Sequence, residues 1–95
     1  MPAAYILLNT VIGAENHVLK ALKKVEGVEE AKRLYGVYDI IAHVKADTME
    51  GLKHILTNKI ESIGKINTKL TMLITDKAPF APEGHVFFEQ TPMIQ

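Results

Sequence analysis

The order of apolar patterns along the 95 residues predicts one α+β domain, running strand, helix, strand and then strand, helix, strand. Three observations carry that prediction. Apolar runs of strand length begin near Tyr5, Asp39 and Ile66, and two stretches between them place apolar residues three or four apart. The second half also faintly repeats the first, since Val18, Leu22, Val25 and Val28 recur 38 residues later as Leu56, Ile60, Ile63 and Ile66.

Tyr5, Ile6, Leu7 and Leu8 lead an apolar run over residues 5–11 that Gly13 breaks, and its length and aliphatic content predict a central strand. From Ala14 the spacing changes. Val18, Leu19, Leu22 and Val25 fall on one helical face, with Lys20, Lys23 and Lys24 opposite and toward the C-terminus, where cations suit the helix dipole; Gly27 ends the helix. Residues 28–37 alternate loosely, Ala31, Arg33, Tyr35 and Val37 against Val28, Glu30, Lys32 and Leu34. Neither face is purely apolar, which predicts an edge strand. Residues 39–46 are almost continuously apolar, as in a strand covered on both faces, and a Gly36-centred turn makes the two strands a hairpin. Asp47 and Glu50 have the spacing of a capping box, Asp47 accepting from the first helical turn and Glu50 reaching back. Leu52, Ile55, Leu56, Ile60 and Ile63 then continue a second helix to Gly64, and residues 66–75 give a last strand with Ile66, Leu70, Met72 and Ile74 mostly on one face.

Two right-handed units joined by a hairpin form a four-stranded antiparallel sheet with both helices on one face, the ferredoxin-like βαββαβ arrangement. The other sheet face stays open. Tyr5, Leu7 and Asn9 or their alternates would lie on it with Ile41 and His43, and a half-apolar face of this kind predicts a second copy packed sheet to sheet in a homodimer. Residues 1–76 form this domain. Residues 77–95 differ in kind: they hold Pro79, Pro82, Gly84 and Pro92 and all three phenylalanines, Phe80, Phe87 and Phe88. A solvated tail has no need of these aromatics, so the tail is expected to dock on its own domain or across a subunit boundary.

Composition narrows the function. Eleven basic and eleven acidic residues cancel, which gives no general attraction to nucleic acid or to anionic membranes. The absence of cysteine removes disulfides, thiolate metal sites and a cysteine nucleophile, and a cytoplasmic location is the simplest reading. The N-terminus carries no basic segment ahead of an apolar one, and no apolar stretch reaches the roughly 20 residues of a membrane span. His17, His43, His54 and His85 share no helical turn or strand face, so neither a metal nor another cofactor is expected. No nucleophile has an evident base partner, and phosphate-cradling and dinucleotide motifs are missing.

With this order of elements, the stretch Tyr35-Gly36-Val37-Tyr38-Asp39-Ile40-Ile41-Ala42-His43-Val44 resembles the effector-binding (RAM) domain of the Lrp/AsnC transcription regulators. Its Gly-x-Tyr-Asp turn leads into an apolar strand, and the likeness continues through the acidic cap at Asp47 and from Lys59 and Ile60 to Ile74. About the first 76 residues are covered. Regulators of this family carry a helix-turn-helix before the effector domain, whereas Met1 here leads directly into the first strand, the expectation for a stand-alone form. The resemblance implies a dimer of face-to-face sheets, assembly of dimers into rings, a free amino acid as effector at subunit contacts, and any effect on transcription exerted through a partner regulator. It also implies the site: Gly36, Val37, Tyr38 and Asp39 of the hairpin turn, with Thr68 and Thr71 of the last strand. Where family members often carry a further hydroxyl, this chain has Lys69, expected either to pair with an effector carboxylate or to be solvated.

The chemistry suits these residues. An α-amino acid presents an ammonium and a carboxylate, so its site needs a carboxylate or carbonyls for one, and N–H or hydroxyl donors for the other. Asp39 fits the first role, and the turn N–H groups with Thr71 fit the second. Each residue has a plainer alternative: Asp39 as a cap of its own turn, Tyr38 as cover for the sheet edge, Thr68 and Thr71 as ordinary strand residues. Two other functions compete with a non-enzymatic effector module. One is a small dimeric monooxygenase- or isomerase-like enzyme with Asp39 and His43 in a cavity between sheet and helices. Alternation argues against it, since Asp39, Ile41, His43 and Lys45 share the face opposite Ile40, Ala42 and Val44. The other is an adaptor whose tail makes the interaction.

Overall fold

The computed structural model describes residues 1–74 in full and the backbone of residues 86–92. Strand β1 (Ala3–Thr10) is followed by helix α1 (Glu15–Lys23), strands β2 (Val28–Arg33) and β3 (Ile40–Lys45), helix α2 (Met49–His54) and strand β4 (Ile66–Ile74). A further strand, β5 (Val86–Pro92), pairs antiparallel with β4. The sheet runs β2-β3-β1-β4-β5, so the expected four antiparallel strands are present in ferredoxin-like order and β5 extends them by one. Pro79, Phe80, Pro82 and Gly84, on which the expectation of a docked tail partly rests, lie outside the described residues, as do the side chains of Phe87, Phe88 and Pro92.

The core forms where one sheet face meets the helices. Ala4, Ile6 and Leu8 of β1 alternate with half-exposed neighbours, and Ile40, Ala42 and Val44 do the same on β3, so one face of each strand is fully buried. Val18 and Leu22 of α1, Leu52 of α2 and Ile60 close over them. Each fully buried Leu, Ile or Val contributes about 1.5–3 kcal/mol relative to exposure. Gly27 joins the layers tightly. At φ +100° it occupies backbone space that L side chains rarely adopt, and an added Cβ would lie 2.6 Å from the Ile55 side chain and 2.9 Å from the Lys45 carbonyl oxygen.

Four details differ from the sequence expectations. Strand β2 stops at Arg33 and not at Val37, and its register with β3 shifts between Val28 and Glu30. That bulge puts Val28 opposite Val44 and Ala31 opposite Ala42, both toward the core, which is why the strand's alternation reads so loosely. Helix α2 is capped by Thr48 and not by Asp47: Thr48 Oγ1 accepts from the Gly51 N–H at 3.0 Å, and Asp47 stands one residue outside the helix. After His54 the helix widens into a π-helical turn (Ile55–Lys59) with the Ile60 N–H donating to the Ile55 carbonyl, and then tightens into a 3₁₀ turn (Glu61–Ile63). Finally, β4 carries a bulge at its start. Asn9 pairs with Thr68 and Thr10 with Ile66, so Asn67 has no residue opposite it in register on β1 and the strand's facing reverses behind it.

That reversal changes the expected facing of β4. Ile66 lies in the core, whereas Leu70, Met72 and Ile74 pair with Leu7, Tyr5 and Ala3 and so join the open face. Lys69 pairs with Leu8 and points under the helices. It is neither solvated nor available to an effector carboxylate: it is buried, its Nζ donates to the Leu56 carbonyl in the π turn at 2.7 Å, and the Glu61 carboxylate lies 4.0 Å away. An ammonium in such a place must be matched by acceptors, and the widened turn supplies one.

Candidate functional site

The open face and one end of the molecule hold the residues of interest. Across the middle of the face, Tyr5 stacks on His43 with ring centroids 4.6 Å apart and planes 17° from parallel. Leu7, Ile41, Leu70, Met72 and Ile74 surround them, all half-buried. An apolar surface of this kind, left in water, is the usual mark of an association site.

At the end where β1 finishes and β3 begins, residues 34–39 connect β2 to β3. The Leu34 N–H donates to the Asp39 carbonyl at 2.8 Å and closes the connection at its base. Gly36 at the tip has φ +153°, with nothing within 4 Å of where a Cβ would be. Tyr35 and Val37 project into solvent at 101% and 83% exposure, and Tyr38 is half-buried. The β1–α1 loop reaches the same end, and there Ile12 is 97% exposed. Three large apolar side chains in water on adjoining loops add a second surface suited to contact.

Asp39 fastens this turn to the sheet. Its N–H donates to the Leu8 carbonyl at 2.8 Å, and its Oδ2 accepts from the Thr10 N–H at 2.9 Å and from the Thr10 hydroxyl at 3.4 Å. The carboxylate thus satisfies a donor of the neighbouring strand's last residue, which neither a solvated group nor a cap of its own turn would do. Beside it, the Asn9 side-chain amide donates to Thr68 Oγ1 at 3.1 Å, and Asn67 Nδ2 donates to the Thr10 carbonyl at 3.3 Å. Asp39 with Thr10 and Asn9 with Thr68 therefore make two separate polar pairs at this end of the sheet: Thr10 is buried on the helix side, whereas Asn9 and Thr68 lie on the open face.

Of the six residues singled out from the sequence, the structure gathers Gly36, Val37, Tyr38 and Asp39 in the turn and places Thr68 on the open face beside Asn9. Thr71 lies elsewhere. It pairs with the buried Ile6, so its side chain belongs to the helix side of the sheet. Two strand residues three apart point to opposite faces, so this separation was readable from spacing alone. Asn9 and Thr10 were not singled out; their signal is a polar pair ending an otherwise aliphatic strand.

A cavity of about 760 Å³ lies on the helix side, lined among others by Val25, Lys45, His54, Ile55 and Ile63. Neither Asp39 nor His43 lines it, and His43 faces away from the helices as alternation predicted. Among the described residues there is no cluster of three or more His, Asp or Glu able to hold a metal ion, and no helix is long and apolar enough to cross a membrane.

An α+β sheet with helices on one face, an open apolar face and two polar pairs at one end has the form of a small association and binding domain. The Lrp/AsnC ligand binding domain matches residues 3–78, and the chain belongs to that family. Among solved structures it is similar to FFRP-DM1, with 37% identity over 77% of this chain and 97% of that one at a TM-score of 0.73. It is also similar to a hypothetical protein from Pyrococcus horikoshii, with 34% identity over 84% and 96% of the two chains at a TM-score of 0.76. Against E. coli AsnC the identity is 25%, covering 84% of this chain but 54% of AsnC, at a TM-score of 0.72. The matched region is thus nearly the whole of the first two proteins and about half of the third. No curated protein sequence matches the chain. The family and the regulators among these neighbours are ligand-binding, regulatory domains and not enzymes.

Proposed function

We propose that this chain is a non-enzymatic, cytoplasmic effector-binding module that takes a free amino acid where subunits of a homo-oligomer meet, at the hairpin turn of residues 36–39 and the neighbouring Thr68. The observation that carries this reading is the Asn9–Thr68 pair on the open face, at the same end of the sheet as the exposed turn that Asp39 fastens to Thr10. Turn N–H groups and the Thr68 hydroxyl supply donors for a carboxylate, and Asp39 fixes the turn that presents them. Face-to-face packing would cover Tyr5, Leu7, Ile41, Leu70, Met72 and Ile74. The effector acts by population shift, favouring the assembly it binds best, with higher oligomers or a partner regulator as the readout.

Thermal-shift and calorimetric titration with each of the twenty common L-amino acids, alongside the solution mass with and without each, tests the reading. Stabilisation by one or a few of them together with a change in oligomer size is expected. If none changes either stability or mass, an amino-acid effector is excluded.

A further inference from the structure

The Asn9–Thr68 pair has an inventory that suits it to a zwitterion. Thr68 Oγ1 accepts one Asn9 amide proton at 3.1 Å, a bond that uses one lone pair of the hydroxyl and one N–H of the amide. A hydroxyl so engaged still has its O–H to donate, and an amide so engaged keeps its carbonyl oxygen as acceptor. The two side chains hold each other from neighbouring strands of a rigid sheet, with Asn9 paired to Thr68 in register, so donor and acceptor stand at a fixed separation. Asp39, the residue that sequence chemistry matches to an ammonium, has its Oδ2 occupied by Thr10. Its Oδ1 stays open among the described residues, and the side-chain amide oxygen of Asn9, one residue before Thr10 and on the open face, offers a second, neutral acceptor beside the Thr68 hydroxyl.

We infer that Asn9 is a ligand-binding residue of the effector site, its amide oxygen accepting from the α-ammonium while the Thr68 hydroxyl donates to the α-carboxylate. This rests on the effector reading above and adds to it a residue and a division of labour. The bulge at Asn67 brings the arrangement about, because it sets Thr68 and not Asn67 opposite Asn9 on the open face.

The test is calorimetry on the full chain with each of the twenty L-amino acids, then with the methyl ester of the tightest binder, which keeps the ammonium and loses the carboxylate charge. Asn9→Ala should weaken amino acid and ester alike by about tenfold or more, the effect of losing one hydrogen bond to a charged group. Thr68→Val should weaken the amino acid by a similar factor and the ester distinctly less, since the ester carbonyl accepts only a neutral hydrogen bond from the hydroxyl. Asn9→Asp keeps the shape and the acceptor, guards against a folding defect in the alanine variant, and should favour the ester over the acid. Unaltered binding in folded Asn9 variants, with wild type binding normally, overturns the inference and leaves the effector reading standing. Wild type binding none of the twenty overturns both.

Discussion

Asp39 is the residue whose removal should be felt most at the hairpin end. Asp39→Ala leaves the Thr10 N–H and hydroxyl without their acceptor, and a loss of about 1–3 kcal/mol is expected from urea unfolding. Asp39→Asn retains an oxygen that can accept and should lose less; equal losses in the two would mean that the negative charge, not the hydrogen bond, carries the effect. Lys69 poses the opposite problem. Lys69→Met removes the ammonium from the Leu56 carbonyl but also ends the burial of a charge, so the two effects offset in global stability. Amide exchange across residues 55–61 should nevertheless quicken, because the π turn loses the donor that holds its inner carbonyl; unchanged exchange there would separate the turn from Lys69. Neither role was legible beforehand. The sequence marks Asp39 as a carboxylate at a strand junction, but its partner is 29 residues away in β1, and nothing local to Lys69 says that the strand has turned it inward.

Among the elements, the second helix shows how near the sequence signal comes. Asp47 and Thr48 are both good capping residues, and the chain uses the second. Thr48→Ala should therefore cost about 1 kcal/mol in thermal or urea unfolding, and Asp47→Ala distinctly less; the reverse order would restore Asp47 as the cap. The facing of β3 was read correctly, with Ile40, Ala42 and Val44 toward the helices, whereas β1, apolar on both faces, was located with its facing left open between Tyr5, Leu7 and Asn9 and their alternates. The elements that carry bulges, β2 and β4, were located but their facing was mistaken or indistinct. A bulge adds one residue without a compositional mark: Glu29 and Asn67 look like any polar residue at a strand end. The π turn is hidden for the same reason, since apolar spacing at Ile55, Leu56 and Ile60 suits either winding.

For the whole molecule, the order of elements and the open sheet face were legible because hydrophobic period and connection length suffice to fix them. The two polar pairs were not, since each joins residues far apart in sequence, Thr10 with Asp39 and Asn9 with Thr68. If the open face is the dimer contact, Leu70→Lys should convert the dimer to monomer in sedimentation while leaving the circular dichroism spectrum intact, as Leu70 lies opposite Leu7 and outside the helix-side core. A dimer of wild-type affinity in that variant would move the subunit contact elsewhere, for instance to the exposed Ile12, Tyr35 and Val37. The bulged Asn67 has a consequence beyond its own position. It sets the phase of β4 as a reading frame sets the sense of a message: everything after it, from Thr68 to Ile74, is assigned to the inside or the outside by that one residue. In comparing relatives, a one-residue gap there would look like a trivial difference at a loop, yet it would exchange the whole inner surface of the strand for its outer one. Substitutions tolerated at these positions in one member are therefore transferable only to members that share the extra residue.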